Sequence, residues 1–382
     1  MIKDVRKNKI FAVFLLILVL FLPKTLTLPP QIAQIAIITA IGIDTHIDGL
    51  EVSAQIIMPK FEEGFNKNLE VASASGASLN DAFKTMEINL GKKLGLAHLG
   101  IIIIADDVAQ NSDVALMLKP LLIGSDKNIN AKLINTTSIA KEMLQVGSGL
   151  GASSNIFIND ILENNENILL NEQSKLQNFF INYYNNASTN LLPVVSLQDL
   201  DGQGLIVEDA VVNKTLLIDG SIAIFKEGKK LLQITKEDYD NLTFFTSGKK
   251  DINFAITDAE NGEIINVKTI KNKVKYKTTF KNGVPQLHMF NDLNINLENE
   301  NILNSAPILT YEIKSQIIGE LRVKLASAFN YLKQNNADIF NFYEVFYAFN
   351  NDEFKTYLSD LGDENYLKKL ELFANFNLII KS

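Results

Sequence analysis

Apolar residues recur along this chain in two rhythms, one nearly continuous and one stepped. Ile35-Ala-Ile-Ile-Thr-Ala-Ile-Gly-Ile-Asp44 is β-branched and almost unbroken, which predicts a buried strand closed by Gly42 and Asp44. Asp48-Gly49 is a hairpin signal, and Leu50 to Met58 predicts the returning strand. Ser78 then stands as the cap of a helix whose Leu79, Phe83, Met86, Leu90 and Leu94 fall at three- and four-residue steps. Ile101 to Ile104 predicts another buried strand, Asp113 to Leu122 a helix, Ala131 to Ile134 a short strand and Ser138 to Leu144 a helix. The order β-β-α-β-α-β-α predicts a mixed α/β domain over residues 31–146.

Past this point the pattern changes. Gly147-Ser-Gly-Leu-Gly-Ala-Ser-Ser154 lacks the Gly-Lys-Ser/Thr ending of a phosphate loop and follows no suitably spaced strand, so it predicts a linker. Residues 147–204 form a linker and helical middle region, with periodic Ile158, Ile161 and Leu162, then Leu176, Phe179, Phe180 and Tyr183. Strands are expected at Leu205–Val212, Leu216–Phe225, Ile252–Thr257, Ile264–Ile270, Val274–Phe280 and Gln286–Asn294, with hairpin turns at Asn261-Gly262 and Asn282-Gly283. After Pro307 a helix over about 308–335 carries the stripe Ile313, Ile317, Leu321, Leu325, Ala328 and Leu332. Residues 205–382 therefore predict an α+β domain, an antiparallel sheet packed by one long helix.

The first 30 residues stand apart. Lys3, Arg6, Lys7 and Lys9 precede Ile10 to Leu22, which holds no polar residue. No small-x-small cleavage site follows, only Pro23 to Pro30 with Lys24 among them. The segment reads as an uncleaved signal anchor, its lysines snorkelling to extend a short apolar span. By the positive-inside rule the N-terminus is cytoplasmic and the body extracytoplasmic.

Composition removes chemistries without nominating one. Lys+Arg 36 against Asp+Glu 44 gives −8, and the only arginines are Arg6 and Arg322, which argues against a nucleic-acid partner. The absence of cysteine excludes disulfides, thiolate metal sites, a cysteine nucleophile and cysteine lipidation. His46, His98 and His288 lie too far apart in sequence to form a histidine metal motif. No cofactor and no metal is expected.

Four stretches together resemble the Ger(x)C, or GerAC-like, family, the C-subunits of bacterial spore germinant receptors. They are Ile35–Asp44 with the hairpin to Pro59, the segment Ala97-His98-Leu99 running to Ala105, Ala223-Ile-Phe225-Lys226 onward to Gly248, and Ala337-Asp338-Ile339-Phe340-Asn341-Phe342-Tyr343-Glu344. The last is similar to the family's Ala-Asp-Ile-Phe-Gly-Phe-Gly-Glu. The chain departs from the family in lacking the lipobox cysteine, with Pro29-Pro30 near its place, so anchoring falls to Ile10–Leu22. It departs again at Asn341-Phe342-Tyr343, where Tyr tolerates left-handed backbone poorly and the local turn is expected to differ.

The resemblance implies a non-enzymatic extracytoplasmic receptor subunit, seated with polytopic membrane partners at the cell or spore inner membrane. A membrane-anchored binder of a small ligand or wall fragment stays open as an alternative. The residues singled out by motif are Gly42, Asp44, His98, Phe225, Lys226, Asp338, Ile339, Phe340, Phe342 and Glu344. His98 is expected to make a structural hydrogen bond, Asp338 to cap the following turn, and Glu344 to be partly exposed. The Asn-x-Ser/Thr triplets at Asn135, Asn186, Asn213 and Asn241 read as chance in an Asn-rich chain.

Overall fold

The structure is a computed structural model, and it describes residues 34–57, 69–123, 127–149, 173–185, 189–199, 205–207, 210–212, 214–257, 262, 264–299 and 310–380. The anchor segment and most of the Gly/Ser linker lie outside these residues. So do Ile158, Ile161, Leu162 and Asn261.

Strands β1 (Ile35–His46) and β2 (Gly49–Ile57) form the expected antiparallel hairpin, and β3 (Leu69–Gly76) extends it. Helix α1 (Leu79–Leu90) is capped by Ser78, whose side chain accepts from the Asp81 N–H. Strands β4 (Lys93–Gly95) and β5 (Ile101–Ala105) run parallel to β1. Helices α2 (Asp106–Asn111) and α3 (Val114–Leu118) follow, and β6 (Lys132–Thr136) lies parallel to β5. The sheet order is β3-β2-β1-β5-β6. Helix α4 (Ala140–Gly149) runs into the Gly/Ser stretch read as linker. Alternate residues of β5 point to opposite faces. Ile102 and Ile104 join Leu79, Met86, Val108 and Val114, while Ile101 and Ile103 join Ala140, Met143 and Leu144 of α4.

Helix α5 (Leu176–Tyr183) leads into short strands: β7 (Thr189–Pro193), β8 (Ser196–Asp199), β9 (Leu205–Val207) and β10 (Ala210–Val212). After β11 (Lys214–Leu217) come β12 (Ile222–Lys226) and β13 (Lys229–Ile234). The single strand expected at Leu216–Phe225 is two. Strand β11 pairs with β8, whereas β12 lies between β13 and β7, and Gly220 at φ 82° turns the chain between them. Likewise Leu205–Val212 is the small hairpin β9–β10.

The rest of the chain is helix α6 (Lys236–Leu242), strands β14 (Gly248–Lys249), β15 (Asn253–Thr257), β16 (Ile264–Lys281) and β17 (Val284–Asn299), helices α7 (Tyr311–Gln334), α8 (Phe342–Phe349) and α9 (Asn351–Leu361), and strand β18 (Glu371–Ile380). The two strands expected at Ile264–Ile270 and Val274–Phe280 are one. Between them lies only a bulge, because buried Asn272 turns inward and donates to the carbonyls of Phe244 at 2.8 Å and Thr246 at 3.2 Å. The sheet is antiparallel through β17, but β18 adds in parallel along it, a strand the pattern did not reveal. All six stripe residues of α7 are buried against this sheet's inner face, together with Leu287, Met289, Leu293 and Ile295. The architecture is mixed α/β and α+β, with several mixed sheets.

Candidate functional site

The motif residues fall at three places, and one of them joins the two halves of the molecule. That place is the three-stranded sheet β13-β12-β7. Its strands alternate between two cores. Leu191, Ile222, Ile224 and Ile234 belong to the core of the C-terminal half, whereas Leu192, Ala223 and Phe225 belong to that of the N-terminal half. Phe225 meets Phe179 of α5 edge-on at 5.8 Å.

Polar contacts fasten the same sheet on both sides. Toward the N-terminal half, Lys230, its side chain only 6% exposed, forms an ion pair with Asp106 and donates to Asn135 Oδ1 at 2.9 Å. The β12–β13 turn places Glu227 and Gly228 at φ 51° and 77°. The Gly228 carbonyl accepts from the Val114 N–H at 2.8 Å. A Cβ on Gly228 would collide with the Asp113 carboxylate, so both the backbone angle and the approach require glycine. Asp113 also accepts from the Tyr183 hydroxyl at 2.8 Å, and that bond pushes Tyr183 up to about 12. Toward the C-terminal half, Thr189 Oγ1 donates to the Asp338 carbonyl at 3.0 Å, and Lys226 Nζ reaches the Asn336 carbonyl at 3.4 Å.

The fourth motif is thus a turn pressed against this sheet. Helix α7 ends at Asn335, and Asn336 at φ 53° reverses the chain, with Ala337 N–H donating to Leu332 O at 2.9 Å. Asp338 is buried and gives one carboxylate oxygen to each of the first two N–H groups of α8, Phe342 and Tyr343, both at 3.0 Å. The Tyr366 hydroxyl donates to the same carboxylate. Burial raises the Asp338 pKa above the ordinary carboxylate value while these donors oppose the rise. Burial, with the Asp338 charge beside it, pushes Tyr366 well up. Ile339 is buried, and Phe340 and Phe342 pack on Phe245 at 4.8 and 5.4 Å between ring centres. Asn341 takes the left-handed position at φ 57°. Tyr343 therefore need not: it lies inside α8, buried, edge-on to Phe354 and Tyr366. Glu344 is exposed in the first turn of α8, where a negative charge suits the helix dipole.

The second place is Gly42 with Asp44 on β1. Asp44 accepts from the N–H groups of Ala140 at 2.8 Å and Lys141 at 3.0 Å, capping α4 from 96 residues away. A Cβ on Gly42 would lie 3.0 Å from the Ala140 carbonyl carbon, so glycine lets the helix end approach the strand. Burial raises the Asp44 pKa, and the two N–H groups hold the rise back.

His98 is the third, and the expectation for it is corrected. It is exposed in the turn before β5 and has no hydrogen-bond partner among the described residues. Leu96 and Leu99 point into the core instead, because the turn puts its apolar flanks inward and its centre outward.

The structure therefore brings Lys226 to the turn that carries Asp338, Ile339, Phe340 and Phe342, turns Phe225 into the opposite core, and leaves Gly42, Asp44 and His98 apart from them. Nothing in the local pattern marks Lys230, Thr189 or Tyr366, whose partners Asn135 and Asp338 come from distant segments. Among the described residues no cluster of His, Asp or Glu could hold a metal ion, and no helix is long and apolar enough to cross a membrane.

Two family models match the chain in order. The spore germination protein N-terminal domain matches residues 30–197, and the spore germination B3/GerAC-like C-terminal domain matches residues 220–382. The crystal structure of the GerBC protein is similar over 90% of this chain and 97% of its own, at 13% identity and a TM-score of 0.56. No curated protein sequence matches.

Proposed function

The chain belongs to the GerAC-like family of spore germination proteins, the C-subunits of germinant receptors, and from that premise we propose that it acts as a non-enzymatic, extracytoplasmic subunit that assembles with polytopic membrane partners. We further propose that residues 1–30 tether it, that residues 31–146 and 205–382 are the bodies of two domains, and that residues 147–204 run between them, with Leu176, Phe179, Phe180, Leu192 and Val194 packed into the N-terminal core. One observation carries the non-enzymatic reading. Among the described residues, Asp44 and Asp338 are the buried carboxylates with raised pKa values, the groups to suspect first of acid–base work. Each has both oxygens bonded to the N–H groups that open a helix. Their shifted proton affinity accompanies a helix-capping role, and that role supports the reading.

Complementation of a deletion strain, with protein abundance and partner co-purification measured together, tests this. Glu344→Gln, on an exposed face of α8, is expected to stay abundant and either weaken assembly or leave germination unchanged. His98→Ala is expected to be equally silent in turnover. A variant that is fully abundant and fully assembled yet inactive would overturn the docking-subunit reading in favour of ligand binding or catalysis. Recovery of a tight small ligand without any membrane subunit would do the same.

A further inference from the structure

The outer face of the C-terminal sheet carries a row of lysines. The bulge between Thr269 and Lys271 shifts the strand by one residue, so Lys268 falls on the same face as Lys271, Lys273, Lys275 and Lys277. Across β17 these five stand opposite Asn296, Asn294, Asp292, Phe290 and His288. All five lysines are exposed. Lys268 pairs with Asp251 at 3.3 Å, and the other four have no ion pair among the described residues. Two-residue steps along a strand spread those four over about 20 Å. Among the described residues, β17 and β18 bring three further acids to this face, each bonded to a neighbouring amide: Asp292 to Asn377 at 3.0 Å, Glu298 to Asn296 at 3.2 Å and Glu371 to Gln286 at 2.7 Å. Beside the lysines two rings face solvent, Phe290 at 46% and Phe373 at 42% exposure, and His288 stacks on Phe373 at 4.9 Å. Among the described residues no helix packs on this face, since α7 and the aromatic cluster all lie on the other.

We propose that this face lies against an anionic lipid surface, a second membrane contact besides the N-terminal segment. The proposal rests on the membrane association proposed above. Charge complementarity selects the occupant: four unpaired lysines in a row, on a chain of net charge −8, call for a dense array of negative charge. The kind of cation and its neighbours favour lipid over an acidic protein. Lysine is a flexible point charge suited to mobile head groups, whereas bidentate pairing with fixed carboxylates would favour arginine. Exposed rings between basic side chains fit the boundary of head groups and acyl chains, where lysine stems lie flat and the ammonium reaches outward. With the N-terminal segment holding the chain at the membrane, a basic patch adds a second, electrostatic contact that sets how the body lies on the surface.

The chain has no tryptophan, so Phe290→Trp makes one reporter in the full-length protein. It is incorporated into phosphatidylglycerol–phosphatidylcholine vesicles carrying acyl-chain bromines, and into phosphatidylcholine vesicles carrying the same bromines. Blue-shifted emission and quenching are expected in the anionic vesicles. Both should be lost in phosphatidylcholine, in high salt, and when Lys271, Lys273, Lys275 and Lys277 are all changed to Gln. Far-ultraviolet circular dichroism should show the fourfold variant folded, since all four positions are exposed. A reporter that stays unquenched on anionic vesicles although the chain floats with them overturns the proposal, as does quenching indifferent to the four charges. A reporter that responds only when receptor subunits are added overturns it too, in favour of an acidic protein. A full-length chain that floats with neither vesicle speaks against the membrane association beneath it.

Discussion

The two main sheets bury their strands differently. Every residue of β5 is buried, because helices lie on both sides of the N-terminal sheet and alternate side chains enter two cores. Strand β16 instead alternates, with Ile265, Val267 and Thr269 buried and the lysines between and beyond them exposed. A strand covered on both faces must be apolar throughout, whereas one covered on a single face needs only every second residue. The polar devices differ as well. Asp44 caps its helix from a distant strand, which locks a helix to a sheet, while Asp338 caps the helix only four residues ahead and is itself sealed by Tyr366.

Substitutions that test this contrast should rank by how enclosed each site is. Ile103→Asp puts a charge between two apolar layers and should abolish folding of the N-terminal half, a loss of about 5 kcal/mol or more, read as collapse of soluble yield and protease resistance. Leu321→Asp on the buried stripe of α7 should cost several kcal/mol, roughly 3–5, in a denaturant titration.

Asp338→Asn retains a single acceptor oxygen for two helix N–H groups and should cost about 2 kcal/mol. Its pH dependence has a definite sign. Burial raises the Asp338 pKa, so the contribution of its carboxyl to stability is full below the unfolded carboxylate value and is lost as pH rises through the raised, folded one. Thermal melts should therefore show the gap between parent and Asn variant widest on the acid side of that window and narrower above it. A gap that widens with rising pH would show that the three donors outweigh burial.

Lys275→Gln, on the open face, should leave stability within about 0.5 kcal/mol. A larger loss would mean that the outer face is covered, and the contrast between the sheets would fail.

Much of this architecture is legible in the chain because it depends on neighbours a few residues away. The run Ile35–Asp44, the Ser78 cap, the Asp48-Gly49 turn and the stripe on α7 each follow from backbone period or local hydrogen bonding, and each stands where the pattern puts it. The roles of Asp338 as a helix cap and Asn341 as the left-handed residue are local in the same sense. What could not be read depends on what a distant segment brings. Lys230 and Thr189 look like ordinary surface residues until a second core closes over the sheet that carries them. Strand β18 alternates too weakly to announce itself and exists by pairing with β17, some 85 residues earlier in the chain. Gly42 and Asp44 close a strand in the sequence, yet their importance comes from a helix end 96 residues away. Short-range periodicity decided which segments became strands and helices. Which polar side chains were withdrawn from water was decided by the packing of elements far apart in sequence, since burial belongs to the assembled layers and not to any one of them.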